Sequence, residues 1–245
     1  MNMALILAGG RGRRFGGPLP KQYAEVLGKP VLAHTMEVFE QAPGIDAVAA
    51  VCQPEHAERI WRIARQWNLS KLRYIFPGGD TCQDSIRSGV YSLRPHLKDS
   101  DLLTLHTGVS PLVDAQTLAA SLRQCAEKGC SFTMYPLLIS LARRMGEDWT
   151  DRNALRREFV ELNVPWSFRY GELYRLYREA DRLGLGKGPE DYALDLWLET
   201  GRRAWFIPGR DPGRLKITTR HDLDLFEGYL RLMERRKAER TKNEE

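Results

Sequence analysis

The sequence predicts an α/β fold on a doubly wound, mostly parallel sheet with a protruding β arm, and three observations carry that prediction. Short apolar runs alternate with segments whose apolar residues recur at helical spacing through the first half of the chain. The opening run stops on a glycine pair, as a buried parallel strand feeding a ligand loop would. Between residues 138 and 163 the alternation gives way to a charged stretch without a helical stripe, which reads as the arm.

Ala4-Leu-Ile-Leu-Ala8 is too short for three helical turns and reads as the first strand. After a Gly- and Pro-rich loop, Val31, Leu32, Thr35, Met36 and Phe39 mark a helix, and residues 47–51 a second strand. Ile60, Ala64 and Trp67 form the inner face of the next helix, followed by a strand at 72–76. A helix at 84–93, a strand at 102–105, a helix at 114–128 and a strand at 131–137 complete the alternation. Beyond the arm, helices are expected at 171–182 and 190–199, short strands at 204–207 and 215–218, and a last helix from His221 into a charged tail. Residues 1–137 and 164–230 thus make one domain, 138–163 an arm, and 231–245 a tail. No repeat of solenoid period occurs.

Composition narrows the function. With 42% apolar residues in 245, the core needs no metal or disulfide. Cys52, Cys82, Cys125 and Cys130 form no C-x-x-C pair and read as small buried or half-buried hydrophobes in a reducing compartment. No apolar run reaches membrane-spanning length, so a cytoplasmic protein without membrane contact is expected. The net charge of +5 is local: residues 1–30 carry five basic side chains and one acid. The basic run at the C-terminus is interleaved with Glu234 and Glu239, as on a solvated helix face, so nucleic acid is not an expected partner.

The loop after the first strand reads Leu7-Ala-Gly-Gly-Arg-Gly-Arg-Arg-Phe-Gly-Gly-Pro-Leu-Pro-Lys-Gln-Tyr23. Its glycines let successive N–H groups form an anion nest. The dinucleotide fingerprint fails, because Phe15 stands where the third glycine belongs, and neither Gly28-Lys29-Pro30 nor Gly186-Lys187-Gly188 completes a Walker loop. What remains is a glycine loop holding Arg14 and Lys21, which suits triphosphate chemistry. Nucleotidyl transfer adds an oxygen to one phosphorus while pyrophosphate departs, so cations must bracket both.

The chain resembles the sugar-phosphate cytidylyltransferases, which act on methylerythritol phosphate or ribitol 5-phosphate. Four blocks carry the resemblance in family order: A-G-G-x-G-x-R, then P-K-Q, then Gly78-Gly-Asp-Thr-Cys-Gln-Asp-Ser-Ile-Arg-Ser-Gly-Val90, then Leu215-Lys-Ile-Thr-Thr-Arg-His-Asp-Leu223. The first and last lie nearer the ribitol branch. The resemblance implies a Rossmann-like nucleotidyltransferase fold that moves CMP from CTP to a sugar or polyol phosphate. It implies that Ala8, Gly9, Gly10 and Gly12 line the triphosphate, that Arg14, Lys21 and Lys216 are catalytic, and that Gly79, Asp80 and Ser85 read the cytosine. It further implies magnesium, and a homodimer paired through the arm, with Arg156 or Arg157 reaching the acceptor phosphate.

The chain departs from the family where an Asp should hold the metal and an Arg the acceptor: His106-Thr-Gly-Val-Ser-Pro111 puts Thr107 and Ser110 there. The family's Thr-Pro-Gln reads Val164-Pro-Trp166, and its Thr-Asp reads Glu190-Asp191. Asp211 and Asp80 are the acids left to assist a metal held mainly by triphosphate. A nucleotide-binding relative that has lost catalysis and acts by binding or assembly is the alternative.

Overall fold

The structure, a computed structural model, describes residues 1–12, 14–17, 19–188 and 192–244. Nine strands and seven helices are described: β1 (Asn2–Leu7), β2 (Glu25–Val26), β3 (Lys29–Pro30), α1 (Val31–Gln41), β4 (Ala47–Cys52), α2 (Ala57–Gln66), β5 (Leu72–Pro77) and α3 (Cys82–Ser92). Then come β6 (Leu102–Thr107), α4 (Ala115–Lys128), β7 (Cys130–Pro136), β8 (Val160–Arg169), α5 (Tyr170–Leu183), α6 (Ala193–Glu199), β9 (Phe206–Pro208) and α7 (Arg220–Glu244).

Seven strands form one sheet in the order β5-β4-β1-β6-β8-β7-β9. β1 pairs in parallel with β4 and β6, and β4 with β5, so three glycine-bearing strand ends open on one edge. β4 is buried at every position, as a parallel strand covered on both faces must be. α1, α2 and α4 cover one face through Leu32, Phe39, Ile60 and Leu118. α3, α5 and α6 cover the other through Ile86, Val90, Leu176 and Trp197. A third cluster joins Phe15 of the glycine loop, Val109, Ile217 and Phe226 of α7, tying three loops together at the strand ends.

The first half of the chain agrees with the prediction element by element, apart from Trp67, which is a half-buried helix cap rather than an inner-face residue. The second half differs in two places. Residues 160–163, assigned to the arm, begin the ten-residue strand β8, which inserts antiparallel between β6 and β7. Pro165 interrupts its alternation and the register shifts opposite Phe132 and Thr133, so the run does not read as a sheet interior. The remaining arm carries one isolated bridge, Ala142 to Asn153, and a short 3-10 turn at Arg156–Glu158.

The strand expected at 215–218 is a loop. Its amides are taken elsewhere: Ile217 N–H donates to the Val109 carbonyl at 2.9 Å, and Thr218 N–H to the Asp222 carboxylate, also at 2.9 Å, leaving no ladder to form. The expected helix at 190–199 is described from Ala193; Glu190 and Asp191 lie outside the described residues.

Candidate active site

The glycine loop is shaped by side chains that tie its carbonyls inward. Ala8 N–H continues the β-ladder to the Val51 carbonyl at 2.8 Å. The Gln22 amide, 2% exposed, then donates to the carbonyls of both Ala8 (2.7 Å) and Gly10 (3.0 Å). Gln53 reaches the carbonyls of Gly9 and Gly79, each at 3.4 Å. With those carbonyls turned in, the amides of Gly9, Gly10, Arg11 and Gly12 donate to no acceptor among the described residues. Gly12 has φ +65° and lies so near Lys21 that a Cβ would sit 3.3 Å from its amide nitrogen. Four free N–H groups in one bend form an anion nest. The sequence shows Gln22 in a motif without revealing its task, because its partners lie 12 and 14 residues back.

The cations meet behind that nest. Lys21 Nζ donates to the Ile217 carbonyl at 2.7 Å, bringing the glycine loop against the loop that carries Lys216. Burial, with help from the Lys216 and Arg14 charges, lowers the Lys21 ammonium to about 8, and Asp222 opposes the shift. Arg14, Lys21 and Lys216 therefore form one electrostatic group, although 195 residues separate the two lysines in sequence (216 − 21). Asp222 accepts from Thr218 N–H (2.9 Å), Thr219 N–H (2.8 Å) and the Thr219 hydroxyl (3.0 Å). Burial works against its ionisation, but these donors hold the carboxyl below its usual range.

Gly79, Asp80 and Ser85 border the nest. Ser85 Oγ accepts from Gly79 N–H and donates to the Thr81 carbonyl, both at 3.0 Å. A Cβ on Gly9 would lie 3.5 Å from that oxygen. The Asp80 side chain is 94% exposed and stands 3.6 Å from an Arg11 guanidinium nitrogen. On the far side of Lys216 a cavity of about 430 Å³ opens, with Thr107, Val164, Trp166 and Arg214 in its wall. Cys82 lies in the same wall and is exposed, against the expectation of a buried or half-buried thiol; the other three cysteines are buried, and none of the four forms a disulfide.

Arg156 and Arg157 do not line this cavity in their own chain. Both are exposed at the base of the arm, where Arg156 reaches the Leu138 carbonyl at 3.5 Å. The two hydroxyls at the departure from the family, Thr107 and Ser110, bond to one another at 2.8 Å. His106 beneath them is fully buried, lowered to about 4 by that burial, and contacts the Ser110 carbonyl at 2.9 Å.

Two acids near the site are paired with arginines. Asp80 and Asp211 stand against Arg11 and Arg214, at 3.6 Å in each case. Among the described residues no group of three or more His, Cys, Asp or Glu side chains is placed to hold a metal. The chain's own contribution to charge balance at the nest is cationic.

The chain matches the 2-C-methyl-D-erythritol 4-phosphate cytidylyltransferase family over residues 2–232. A ribitol-5-phosphate cytidylyltransferase of Lacticaseibacillus paracasei is 33% identical over 235 residues, covering 94% of this chain and 98% of the relative. A 2-C-methyl-D-erythritol 4-phosphate cytidylyltransferase of Dehalococcoides mccartyi is 31% identical over 233 residues, covering 93% and 95%. In fold, the crystal structure of 4-diphosphocytidyl-2C-methyl-D-erythritol synthase from Anaerococcus prevotii superposes with a TM-score of 0.79 at 21% identity, covering 94% of this chain and 96% of that one.

Proposed function

The chain belongs to the 2-C-methyl-D-erythritol 4-phosphate cytidylyltransferase family, and from that premise we propose that it transfers CMP from CTP to a sugar or polyol phosphate of the ribitol 5-phosphate or methylerythritol 4-phosphate type. One observation carries the reading: Arg14, Lys21 and Lys216 converge beside four free backbone amides at the carboxyl edge of a parallel sheet.

In this reading the amides of Gly9 to Gly12 grip the triphosphate of CTP, and the Gly79, Asp80 and Ser85 turn reads the cytosine. The acceptor's phosphate lies toward the cavity beyond Lys216. One of its oxygens attacks the α-phosphorus; the new P–O bond forms as the bond to the bridging oxygen breaks, and that electron pair leaves with pyrophosphate. A phosphate dianion needs no general base, so the protein's task is to orient the two anions and to neutralise charge. Arg14 can hold two oxygens at once, and Lys21 meets the charge that grows on the departing group. Lys216, lining the cavity and adding its field to that at Lys21, faces both substrates. Magnesium belongs to this proposal only as an ion carried by the triphosphate, since Thr107 supplies no carboxylate.

The test is pyrophosphate release from CTP with ribitol 5-phosphate and with methylerythritol 4-phosphate, beside calorimetry of CTP binding. Turnover with either acceptor, and none with ATP or GTP, is expected. Absence of CTP binding overturns the reading. The bonded Thr107–Ser110 pair, neutral where the family carries charge, favours a second reading, a relative that binds without catalysis; tight CTP binding with no turnover on either acceptor would establish it.

A further inference from the structure

We propose that Asp222 is a positioning residue for this site: its carboxylate fixes the loop that carries Lys216 and presents the Ile217 carbonyl to Lys21, and its negative charge offsets part of the positive field gathered there. The inference rests on the proposed nucleotidyl transfer only in assigning Lys21 and Lys216 their role; the geometry stands apart from it.

The segment 215–219 has no sheet to hold it, yet it must keep a lysine beside a nest already crowded with positive charge. Three attachments do the work. Ile217 is buried with Phe15, Val109 and Phe226, and its N–H donates to the Val109 carbonyl at 2.9 Å. Its carbonyl accepts from Lys21 Nζ at 2.7 Å. The two amides that follow, Thr218 and Thr219, both donate to one oxygen of Asp222, at 2.9 and 2.8 Å, and the Thr219 hydroxyl adds a third bond at 3.0 Å. Asp222 lies in the first turn of α7, where a carboxylate also meets the positive end of the helix dipole. The polar closure of the loop onto α7 thus centres on one side chain, beside the apolar contact of Ile217 with Phe226.

Removal of that side chain would leave two amides without their acceptor beside two lysines and an arginine that repel one another. Burial and the charges of Lys216 and Arg14 favour loss of the Lys21 proton, and Asp222 is the acid that opposes them in part. A neutral residue at 222 thus acts on Lys21 in two ways: it loosens the carbonyl that Lys21 grips, and it deletes the compensating charge. A purely structural cap would do the first without the second, and the two are separable by titration.

The experiment compares wild type with Asp222→Asn, which retains an acceptor oxygen for the loop amides while losing the charge, and with Asp222→Ala. Lys21 is titrated in the free protein by brief acetylation with acetic anhydride across a pH series, its peptide quantified by mass spectrometry. In wild type the labelling midpoint is expected near 8. In Asp222→Asn it is expected to fall by about a few tenths of a pH unit, the size of a lost attractive charge that lies beyond ion-pair distance in a partly screened site. A midpoint unmoved in a folded Asp222→Asn protein overturns the proposal. Where CTP turns over, the loss of kcat/KM in Asp222→Asn is expected to deepen from pH 6.5 to pH 8.5, and a loss equal at every pH also overturns it. If wild type neither binds nor turns over CTP, the proposed function fails while the labelling result still decides the place of Asp222.

Discussion

At the scale of single residues, Lys21 is where burial, charge and chemistry meet. An ammonium lowered to about 8 is still mostly protonated at neutral pH, and it responds to its neighbours. The sign follows from which form works. Stabilisation of a departing pyrophosphate needs the cation, so kcat/KM for CTP should be level below about pH 7 and decline as pH rises through about 8. Binding of a triphosphate supplies the missing negative field and raises the same group, so CTP binding near pH 8 should take up protons, measured as a buffer-dependent binding enthalpy. Lys21→Ala is expected to lose about 2–4 kcal/mol of transition-state stabilisation and, with it, the alkaline limb. An unchanged rate would remove Lys21 from the chemistry. Arg14 and Lys21 stood out in the sequence because clustered charge beside glycines has few other uses, whereas Lys216 entered only through the resemblance to the family. Gln22 and Asp222 were not: each acts on backbone groups that only the folded loop brings to it.

At the scale of elements, the turn between β5 and α3 shows how a helix start is locked into one shape. Thr81 caps α3 by accepting from Asp84 N–H at 3.0 Å, and the Asp84 carboxylate accepts in return from the Thr81 hydroxyl at 2.7 Å. Gly79 lies against this box so closely that a Cβ would stand 2.3 Å from the Asp84 Cβ, a distance no side chain tolerates. Gly79→Ala must therefore displace either the cap or the turn. The expected cost is about 1–3 kcal/mol in urea unfolding, with at least tenfold weaker CTP binding, whereas Asp80→Ala, whose side chain lies in solvent, should leave stability unchanged. Equal stabilities of Gly79→Ala and wild type would show the turn to be slack. Elements of this kind were readable because their signals are local: a capping threonine, a glycine pair, a 3.6-residue stripe. β8 was not, because its pairing with β6 and β7 joins segments far apart in the chain and a proline breaks its alternation. Residues 215–218 looked like a strand for the complementary reason, apolar alternation without an edge to pair on.

At the scale of the whole molecule, the arm is what a single chain leaves unfinished. Leu138, Ile139, Trp149 and Phe159 are 66%, 65%, 57% and 47% exposed on a segment with a single β-bridge of its own. Large apolar side chains gathered on so little structure call for a covering surface. A homodimer would supply one, and it would also give Arg156 and Arg157 a destination, since neither lines the cavity of its own chain. Sedimentation should find a dimer, and Ile139→Asp combined with Trp149→Ser should yield folded monomers. Whether the arginines serve the partner's site is decided by complementation. A Lys21→Ala protomer retains both arginines, and an Arg156→Ala, Arg157→Ala protomer retains Lys21. If the arginines act across the interface, a heterodimer of the two, purified through separate tags, has one complete site and should recover about half the wild-type rate, although each variant homodimer is inactive. If they act within their own chain, both sites of that heterodimer lack a cation and no rate returns.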